Sequence, residues 1–307
     1  MVESADVVRC TLPVDGPYDL GGTMGQLRVL AHPGLWIGAG EAWHATRNAD
    51  GVATLRLRHA GARVEVEAWG PGATRALDGA AALAGLEDDG AAAFEPLAEP
   101  LRTLRRRRPG LRLPRTGAVL ETLLPTVLAQ KVSGKEAGQS WLALVRRHGE
   151  RAPGPAGAPE LWLSPTVETL RSLAYEDFHP FGIERRRAET LRRVAARAGR
   201  LQEALAMPLP AAYARLQALE GIGPWSAAKV LLVAAGDPDA VPVGDYNLPA
   251  LVAWNLAHEP RADDARMLEL LEPYLGRRAR VLQLLHVAGE NPPRFGPRQE
   301  LRRIERW

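Results

Sequence analysis

The stretch LQALEGIGPWSAAKVLLVAA at residues 216–235 constrains the fold of this 307-residue chain more than any other. Apolar residues recur at helical spacing on both sides of a Gly-Ile-Gly turn at 221–223, so the stretch predicts two helices joined by a tight hairpin. Pro224 suits the first turn of the second helix, whose N–H groups lack partners within the helix. The hairpin is therefore predicted to bind an anion through its main chain, with the Ser226 hydroxyl as an additional donor. A plain helix–helix turn that contains glycines is the alternative.

The pattern of apolar residues divides the chain into a sheet and a set of helices. Alternating or apolar segments between Gly, Pro and Asn-Ala-Asp-Gly turns predict a small antiparallel sheet. Its predicted strands are at 7–14, 25–32, 34–40, 53–59 and 62–69. From residue 73 onward, apolar spacing of three or four predicts about eight helices. These are placed at 117–129, 135–148, 166–174, 184–199, 211–217, 225–235, 246–257 and 276–288. We therefore expect an α+β fold, with a sheet-containing mixed α/β domain at 1–95 and an all-α domain at 96–307.

Composition excludes several classes of protein. The single cysteine, Cys10, excludes an intramolecular disulfide framework and any four-cysteine zinc or iron–sulfur site built from this chain alone. No apolar run is long enough to span a membrane, and the first residues carry Glu3, Asp6 and Arg9 where a signal peptide needs an apolar run. A cytoplasmic protein without membrane contact is expected. The histidines are scattered and no phosphate-loop or dinucleotide fingerprint is present, so no cofactor is expected, and His286 is interpreted as a core or cleft histidine.

The charge pattern favours an anionic partner. The formal net charge is only +3, but 39 basic residues raise the pI to about 9.3, and nearly all of them are arginines. The only lysines are Lys131, Lys135 and Lys229. The arginines cluster in short runs at 105–108, 185–187 and 277–280. These runs predict contacts to phosphates from several sides of one cleft, and solvated or paired helix surface is the alternative.

The segment LxxLxGIGxWxA at 216–227 resembles the helix-hairpin-helix element of the DNA glycosylase superfamily. Segments at 108–138, 181–195 and 276–289 are also similar to those of bacterial 3-methyladenine DNA glycosylase II, so the resemblance covers most of the chain. In that family an essential aspartate follows the hairpin by about 20 residues, and here it is Asp245. The resemblance implies an enzyme of base excision repair. Such an enzyme flips a damaged, alkylated base and hydrolyses its N-glycosidic bond.

The implied role of Asp245 fits the chemistry of this reaction. Cleavage passes through an oxocarbenium-like sugar, which needs a fixed anion near the anomeric carbon and a positioned water. At the start of a helix, Asp245 is expected to stay ionised through the helix dipole and free N–H groups. A simple helix N-cap is the local alternative. The competing function is a non-catalytic protein that binds damaged DNA through the hairpin and has no need of the aspartate.

Position 225 bears on the type of reaction. Family members that also cut the DNA backbone carry a Schiff-base lysine there, whereas Trp225 cannot form an imine. The resemblance therefore implies a monofunctional enzyme, with Trp225 stacking on the base. Lys229 lies one turn later on the same helix face, so a phosphate contact, a solvent-facing side chain and lyase activity all remain open. Pocket positions that are aromatic in relatives are Lys229 and Ala288 here, while Tyr246 is either a pocket wall or a structural residue.

The resemblance also implies DNA contacts and a cation site. The loop at 129–133 is expected to insert a wedge where the flipped nucleotide has left the stack, with a lysine where an uncharged side chain is usual. The implied DNA contacts are Gln130, Lys131, Ser133, Gly221, Ile222, Gly223 and Ser226. A structural monovalent cation is implied on the main-chain carbonyls of Gln217, Leu219 and Ile222, with no side-chain ligand. The expected partner is double-stranded DNA that contains a damaged base, bound by a monomer.

Overall fold

The computed structural model describes residues 7–293. In this range the strands are β1 (Val8–Pro13), β2 (Leu35–Ile37), β3 (Glu41–Asn48), β4 (Gly51–His59), β5 (Arg63–Trp69), β6 (Glu150–Arg151) and β7 (Trp162–Leu163). The helices up to the hairpin are α1 (Leu20–Gly25), α2 (Ala73–Asp78), α3 (Ala80–Leu83), α4 (Glu99–Arg107), α5 (Val119–Leu128), α6 (Gly134–His148), α7 (Val167–Ser172), α8 (Tyr175–Phe178), α9 (Arg185–Ala196), α10 (Ala198–Gln202) and α11 (Leu209–Gln217). After the hairpin follow α12 (Pro224–Ala235), α13 (Leu248–Ala257), α14 (Asp264–Leu271) and α15 (Arg278–Ala288). The predicted domains extend to residues 1–6 and 294–307, which lie outside the described residues.

Strands β1 to β5 form one antiparallel sheet in the order β1-β5-β4-β3-β2. A tight hairpin joins β3 to β4, where Asn48 pairs with Gly51 and its side-chain oxygen accepts a hydrogen bond from the Asp50 N–H at 3.0 Å. One face of the sheet packs against α1, α2 and α3 in a core that includes Met24 and Leu57. The expected α+β class with an N-terminal antiparallel sheet is confirmed.

The strand predicted at 25–32 is wrong. After α1 the chain continues in successive turns, and the Leu27 N–H donates to the Met24 carbonyl at 3.1 Å. Leu27 is buried in the core beneath the sheet, whereas Leu30 packs against the core of the helices. The alternation of apolar residues therefore serves two different cores and does not mark one face of a strand.

Strand β3 was not predicted, because its sequence lacks alternation. Trp43, His44 and Ala45 are consecutive and all buried. Trp43 and Ala45 face a small second core with Trp69 on the side of the sheet that β7 covers. A strand that is buried on both faces has no polar face to signal it.

All eight predicted helices are confirmed within a few residues, as α5, α6, α7, α9, α11, α12, α13 and α15. The others are mostly one- or two-turn helices that sequence periodicity did not separate. The predicted domain division at residues 95 and 96 falls in the segment between α3 and α4. No helix within residues 7–293 is long and apolar enough to cross a membrane.

The helices build two hydrophobic cores. One core is shared by α5, α6, α7, α9, α11 and α12, and the other by α4, α13, α14 and α15. The hairpin joins α11 to α12 within the first core. The loop at 236–247 then carries the chain from α12 to the second core, against which its Val241 packs, so Asp245 lies on the connection between the two cores.

Glu121 on α5 connects the helices to the sheet. Its carboxylate accepts a hydrogen bond from the Arg47 N–H at 2.7 Å and another from the Thr46 hydroxyl at 2.9 Å. Burial raises the pKa of Glu121 to about 7, and the two hydrogen bonds and the nearby Arg47 charge only partly oppose this shift. The contact between sheet and helices therefore contains a carboxyl group that titrates near neutral pH.

Candidate active site

The hairpin requires glycine at one of its two glycine positions. Gly221 has φ +95°, and a Cβ atom there would lie 2.5 Å from the Thr190 Oγ1 on α9. Gly223 has an extended φ of −98°, and a Cβ atom there would meet nothing within 4 Å. Gly223, unlike Gly221, therefore does not adopt a positive φ. Its open surroundings leave room beside the first N–H groups of α12, which have no partners within the helix.

Gln130 fastens the hairpin to the end of α5. Its side-chain nitrogen donates to the Gly221 carbonyl and to the Ser226 Oγ, both at 2.9 Å. Ser226 is buried, so its hydroxyl faces inward and the anion-binding surface is left to main-chain N–H groups. The geometry thus gives Gln130 and Ser226 a bracing role, and Ile222 is buried in the adjacent core.

The loop after α5 has an unusual backbone. Lys131 is exposed and has φ +58°, a left-handed conformation that costs a lysine about 1–3 kcal/mol and occurs mainly where the surroundings impose it. Ser133 begins α6, and its Oγ accepts a hydrogen bond from the Glu136 N–H at 3.2 Å. The structure therefore makes Ser133 a helix cap and presents Lys131 to solvent beside the hairpin brace.

The loop that carries Asp245 is fixed at several points. The Tyr213 hydroxyl donates to Asp237 at 2.7 Å, and the Arg278 guanidinium donates to both carboxylate oxygens of Asp239 at 2.8 and 2.5 Å. Nearer the site, the Gly244 N–H donates to Asp264 Oδ2 at 3.0 Å. These anchors come from α11, α14 and the start of α15, and together they set the position of Asp245.

Asp245 uses its two oxygens differently. Oδ1 accepts hydrogen bonds from the N–H groups of Asn247 and Leu248 at 3.0 and 3.1 Å, which satisfies free donors at the start of α13. Oδ2 accepts a hydrogen bond from the Trp225 indole N–H at 2.9 Å, across 20 residues of sequence. The cap interpretation is therefore correct for Oδ1, while Oδ2 faces the hairpin helix, and the catalytic role of Asp245 stays a prediction.

The surroundings hold Asp245 in its ionised form. Partial burial alone would raise its pKa, but the Lys229 charge, the Trp225 hydrogen bond and the two backbone N–H groups outweigh burial and lower the pKa below its ordinary value. The side chain is 17% exposed, so its charge is little screened by water yet open to a ligand. A fixed, half-buried anion of this kind can stabilise positive charge on a neighbouring group.

Lys229 lies beside the carboxylate. Its Nζ is 3.8 Å from Asp245 Oδ2 and 5.8 Å from the centre of the Trp225 ring. From α15, His286 lies near the same pair: although the residue is exposed at the surface, desolvation by surrounding protein atoms and the Lys229 charge lower its pKa, and the Leu282 carbonyl and Asp245 oppose the shift. The solvent-facing interpretation of Lys229 is wrong, since the lysine belongs to the site.

The remaining pocket predictions have different outcomes. Tyr246 is 95% exposed, so the interpretation as a packed structural residue is wrong, and its ring is free to meet a ligand next to Asp245. Ala288 is half-buried at the end of α15, against the second core. Within residues 7–293 no group of three His, Cys, Asp or Glu side chains is placed to hold a metal ion.

Most arginines of the three basic runs are engaged within the chain. Arg105 pairs with Glu95, Arg108 with Asp19, Arg278 with Asp239 and Arg280 with Asp88. Arg187 is buried and donates to the Leu128 carbonyl at 2.9 Å. A phosphate that contacts these groups must compete with their partners. The interpretation as paired surface therefore describes most of these runs.

Three features of the site were missed by sequence reasoning: the Gln130 brace, the anchor from Asp264 to Gly244, and the approach of His286 to Lys229. Each joins elements that are far apart in sequence, so no local spacing signals it. The hydrogen bond between Trp225 and Asp245 could have been predicted, because the distance in sequence from the hairpin to the aspartate suggested that the two residues meet.

No protein-family model matches the chain. It is 30% identical over 273 residues to a protein of Mycobacterium tuberculosis named "Probable bifunctional transcriptional activator/DNA repair enzyme AlkA". The match covers 80% of this chain and 50% of that protein, so the chain spans about half the length of this curated relative.

Solved structures share the fold. The 3-methyladenine DNA glycosylase of Archaeoglobus fulgidus superposes with a TM-score of 0.74 at 20% identity, over 90% of this chain and 97% of that one. The 3-methyladenine DNA glycosylase Mag1 of Schizosaccharomyces pombe, solved with abasic DNA, has a TM-score of 0.52 at 20% identity, over 64% of this chain and 94% of that one. The chain is therefore similar in sequence to this AlkA relative over about half of that protein's length, and it shares the fold of the solved 3-methyladenine DNA glycosylases.

Proposed function

We propose that the chain is a monofunctional DNA glycosylase of base excision repair, which removes a damaged, alkylated base from double-stranded DNA. Asp245 carries the proposal: it is ionised, half-buried, and hydrogen-bonded to Trp225 beside the start of α12. The names of the related glycosylases, and the DNA bound to one of them, support damaged DNA as the partner.

The proposed reaction starts with binding of the DNA backbone. A phosphate is held by main-chain N–H groups at the start of α12, next to the open Gly223, and needs no sequence preference. Flipping a base costs a few kcal/mol of unstacking, which phosphate contacts and stacking on Trp225 offset. The flipped nucleotide then lies between this helix and the loop that carries Asp245.

The carboxylate has two tasks in bond cleavage. Its charge stabilises the positive sugar that forms as the N-glycosidic bond breaks, and it accepts a proton from the water that adds to C1′. Because the N–H groups of Asn247 and Leu248 fix Oδ1, the carboxylate does not have to reorient during the reaction. Such preorganisation contributes most where water is excluded.

The site favours hydrolysis without strand cleavage. The position of a Schiff-base lysine is occupied by Trp225, whose indole cannot form an imine, and the Lys229 side chain is paired with the Asp245 carboxylate at 3.8 Å. A monovalent cation at the carbonyls of Gln217, Leu219 and Ile222 belongs to the proposal as a structural element. Carbonyls where a helix ends lack partners within the helix and suit such an ion.

A single-turnover excision assay tests this proposal. Duplex oligonucleotides carry 3-methyladenine, 7-methylguanine, hypoxanthine, ethenoadenine or uracil, and free base is measured for the wild type, Asp245→Asn and Asp89→Asn. Asp89 is an exposed aspartate that takes no part in the hydrogen bonds and ion pairs of Asp245, so its variant is the matched control. We expect base release by the wild type and by Asp89→Asn, and a loss of at least about 100-fold in Asp245→Asn.

The competing functions predict different results. A non-catalytic binder retains damaged DNA but releases no base from any duplex, and Asp245→Asn changes nothing. A bifunctional enzyme that uses Lys229 releases base, cuts the strand, and gives a covalent DNA complex on borohydride treatment. Base release that is unchanged in Asp245→Asn would contradict the assigned role of the carboxylate.

A further inference from the structure

Lys229 introduces a fixed positive charge where the proposed reaction takes place. Its Nζ lies 3.8 Å from Asp245 Oδ2 and over the Trp225 ring, 5.8 Å from the ring centre, and the side chain is 26% exposed. The ionisable groups that face it are Asp245 from the loop and His286 from α15. The inference drawn from this arrangement rests on the proposed glycosylase function.

The first consequence concerns the charge of the site. A lone carboxylate would attract a cationic base such as 7-methylguanine, but here the Asp245 charge is matched by the Lys229 charge a few ångströms away. For a base that stacks on Trp225, near Lys229 as well as Asp245, the two charges largely cancel, whereas a positive sugar beside Asp245 still meets the carboxylate first. At the position of the base the site therefore offers a cationic base little net electrostatic attraction, and an uncharged base meets no penalty.

The second consequence concerns the leaving group. A cationic base leaves as a neutral molecule when the N-glycosidic bond breaks, because it takes the bonding electron pair. An uncharged base that takes the same electron pair leaves as an anion, which is a poor leaving group unless a proton is supplied. Lys229 has three N–H donors, and its Nζ lies 3.8 Å from Asp245 Oδ2 and 5.8 Å from the centre of the Trp225 ring, on which a base can stack.

We propose that Lys229 is the general acid that protonates a departing uncharged base, such as hypoxanthine or ethenoadenine, at a ring-nitrogen or carbonyl acceptor. The C1′–N bond breaks, its electron pair passes to the base, and the base takes a proton from the Lys229 ammonium. Asp245 meanwhile stabilises the positive sugar.

The ion pair closes the proton balance. Water adds to C1′ and gives one proton to Asp245, while Lys229 has become a neutral amine by giving one proton to the base. Transfer of the proton from Asp245 to Lys229, across the 3.8 Å that separates Nζ and Oδ2, restores both groups. The sum is damaged nucleotide plus water giving abasic site plus free base, with no oxidant, reductant or metal required.

The test compares two leaving groups in one duplex sequence. Single-turnover rates are measured for hypoxanthine and for 7-methylguanine, with the wild type, Lys229→Gln, Lys229→Arg and the control Lys135→Gln on the exposed side of α6. General acid catalysis is worth at least about 100-fold, so the ratio of hypoxanthine to 7-methylguanine excision should fall by that factor in Lys229→Gln. Arginine keeps the charge but does not give up its proton, so Lys229→Arg should also lose hypoxanthine excision.

The outcomes separate this inference from the proposed function. A fall by the same factor for both bases in Lys229→Gln, or full hypoxanthine excision by Lys229→Arg, would overturn the role of Lys229 while leaving the glycosylase intact. A misfolded variant also lowers both rates together, and it is recognised by the thermal unfolding of Lys229→Arg and Lys229→Gln against Lys135→Gln. A borohydride-trapped covalent complex at Lys229 would assign it to imine chemistry and overturn the inference. Absence of base release by the wild type on every duplex would overturn the proposed function, and this inference with it.

Discussion

The substitution Gly221→Ala tests the geometry of the hairpin. Gly221 has φ +95° and lies against Thr190, whereas Gly223 is extended and faces open space. The same change at two glycines of one turn should therefore have very different effects on the free energy of unfolding.

The expected magnitude follows from two separate contributions. A non-glycine residue held at positive φ costs about 1–3 kcal/mol. A Cβ atom at Gly221 would also lie 2.5 Å from the Thr190 Oγ1 and 2.8 Å from its Cγ2. The packing of α9 would have to shift to accommodate it, which costs about 1–3 kcal/mol of stability. We expect Gly221→Ala to lower the free energy of unfolding by about 3 kcal/mol, and Gly223→Ala by less than about 1 kcal/mol.

Urea unfolding of four variants checks this reasoning: the two single glycine variants, Thr190→Ala, and the double variant Gly221→Ala with Thr190→Ala. Removal of the Thr190 hydroxyl and methyl relieves the steric part only, so the double variant should recover about 1–2 kcal/mol relative to the sum of the single changes. Equal costs at Gly221 and Gly223, or strictly additive costs in the double variant, would refute the argument.

Three further predictions concern the site and the sheet contact. Trp225→Phe removes the indole donor from Asp245, so the pKa of Asp245 should rise and the acidic limb of the excision pH profile should move to higher pH. Gln130→Ala leaves two hairpin oxygens without their donor and should lower the free energy of urea unfolding by about 1–3 kcal/mol, with weaker DNA binding measured by fluorescence anisotropy. Glu121 has a raised pKa, so the wild type should lose up to about 3 kcal/mol of stability as pH rises from about 4.5 to about 7, and urea unfolding of Glu121→Gln should lack this loss.

The parts of the structure that sequence could predict are those with local signals. The hairpin was found because its turn needs Gly221 and its flanking helices have clear apolar periodicity. Asp245 was selected as the candidate aspartate because its distance in sequence from the hairpin matches the distance in the DNA glycosylase family that the sequence resembles. Strand β3 was not predicted because it is buried on both faces and therefore lacks alternation of apolar and polar residues. The segment at 25–32 was wrongly predicted as a strand because its apolar residues, which face two different cores, alternate as those of a strand do.

The parts that sequence could not predict depend on long-range pairing. Arg280 meets Asp88 across 192 residues, so the charge run that contains it looked like free basic surface. The hydrogen bond from Gln130 to the Gly221 carbonyl, 91 residues away, has no local signal in the sequence, and the DNA contact of Gln130 stays a prediction. To predict the Lys229–Asp245 ion pair, one would have to know which face of α12 carries Lys229 and also the path of the loop that carries Asp245.

Asp245 is proposed to act as a fixed anion that stabilises a positive sugar, and binding of two abasic-site analogues tests this role most directly. One duplex carries a cationic pyrrolidine ring in place of the sugar, and the other carries a neutral tetrahydrofuran ring of the same shape. We expect the wild type to bind the cationic duplex at least about tenfold more tightly, and Asp245→Asn to lose this preference while it binds the neutral duplex as before. Equal binding of both duplexes by the wild type, or a preference retained in Asp245→Asn, would contradict the proposed role of Asp245.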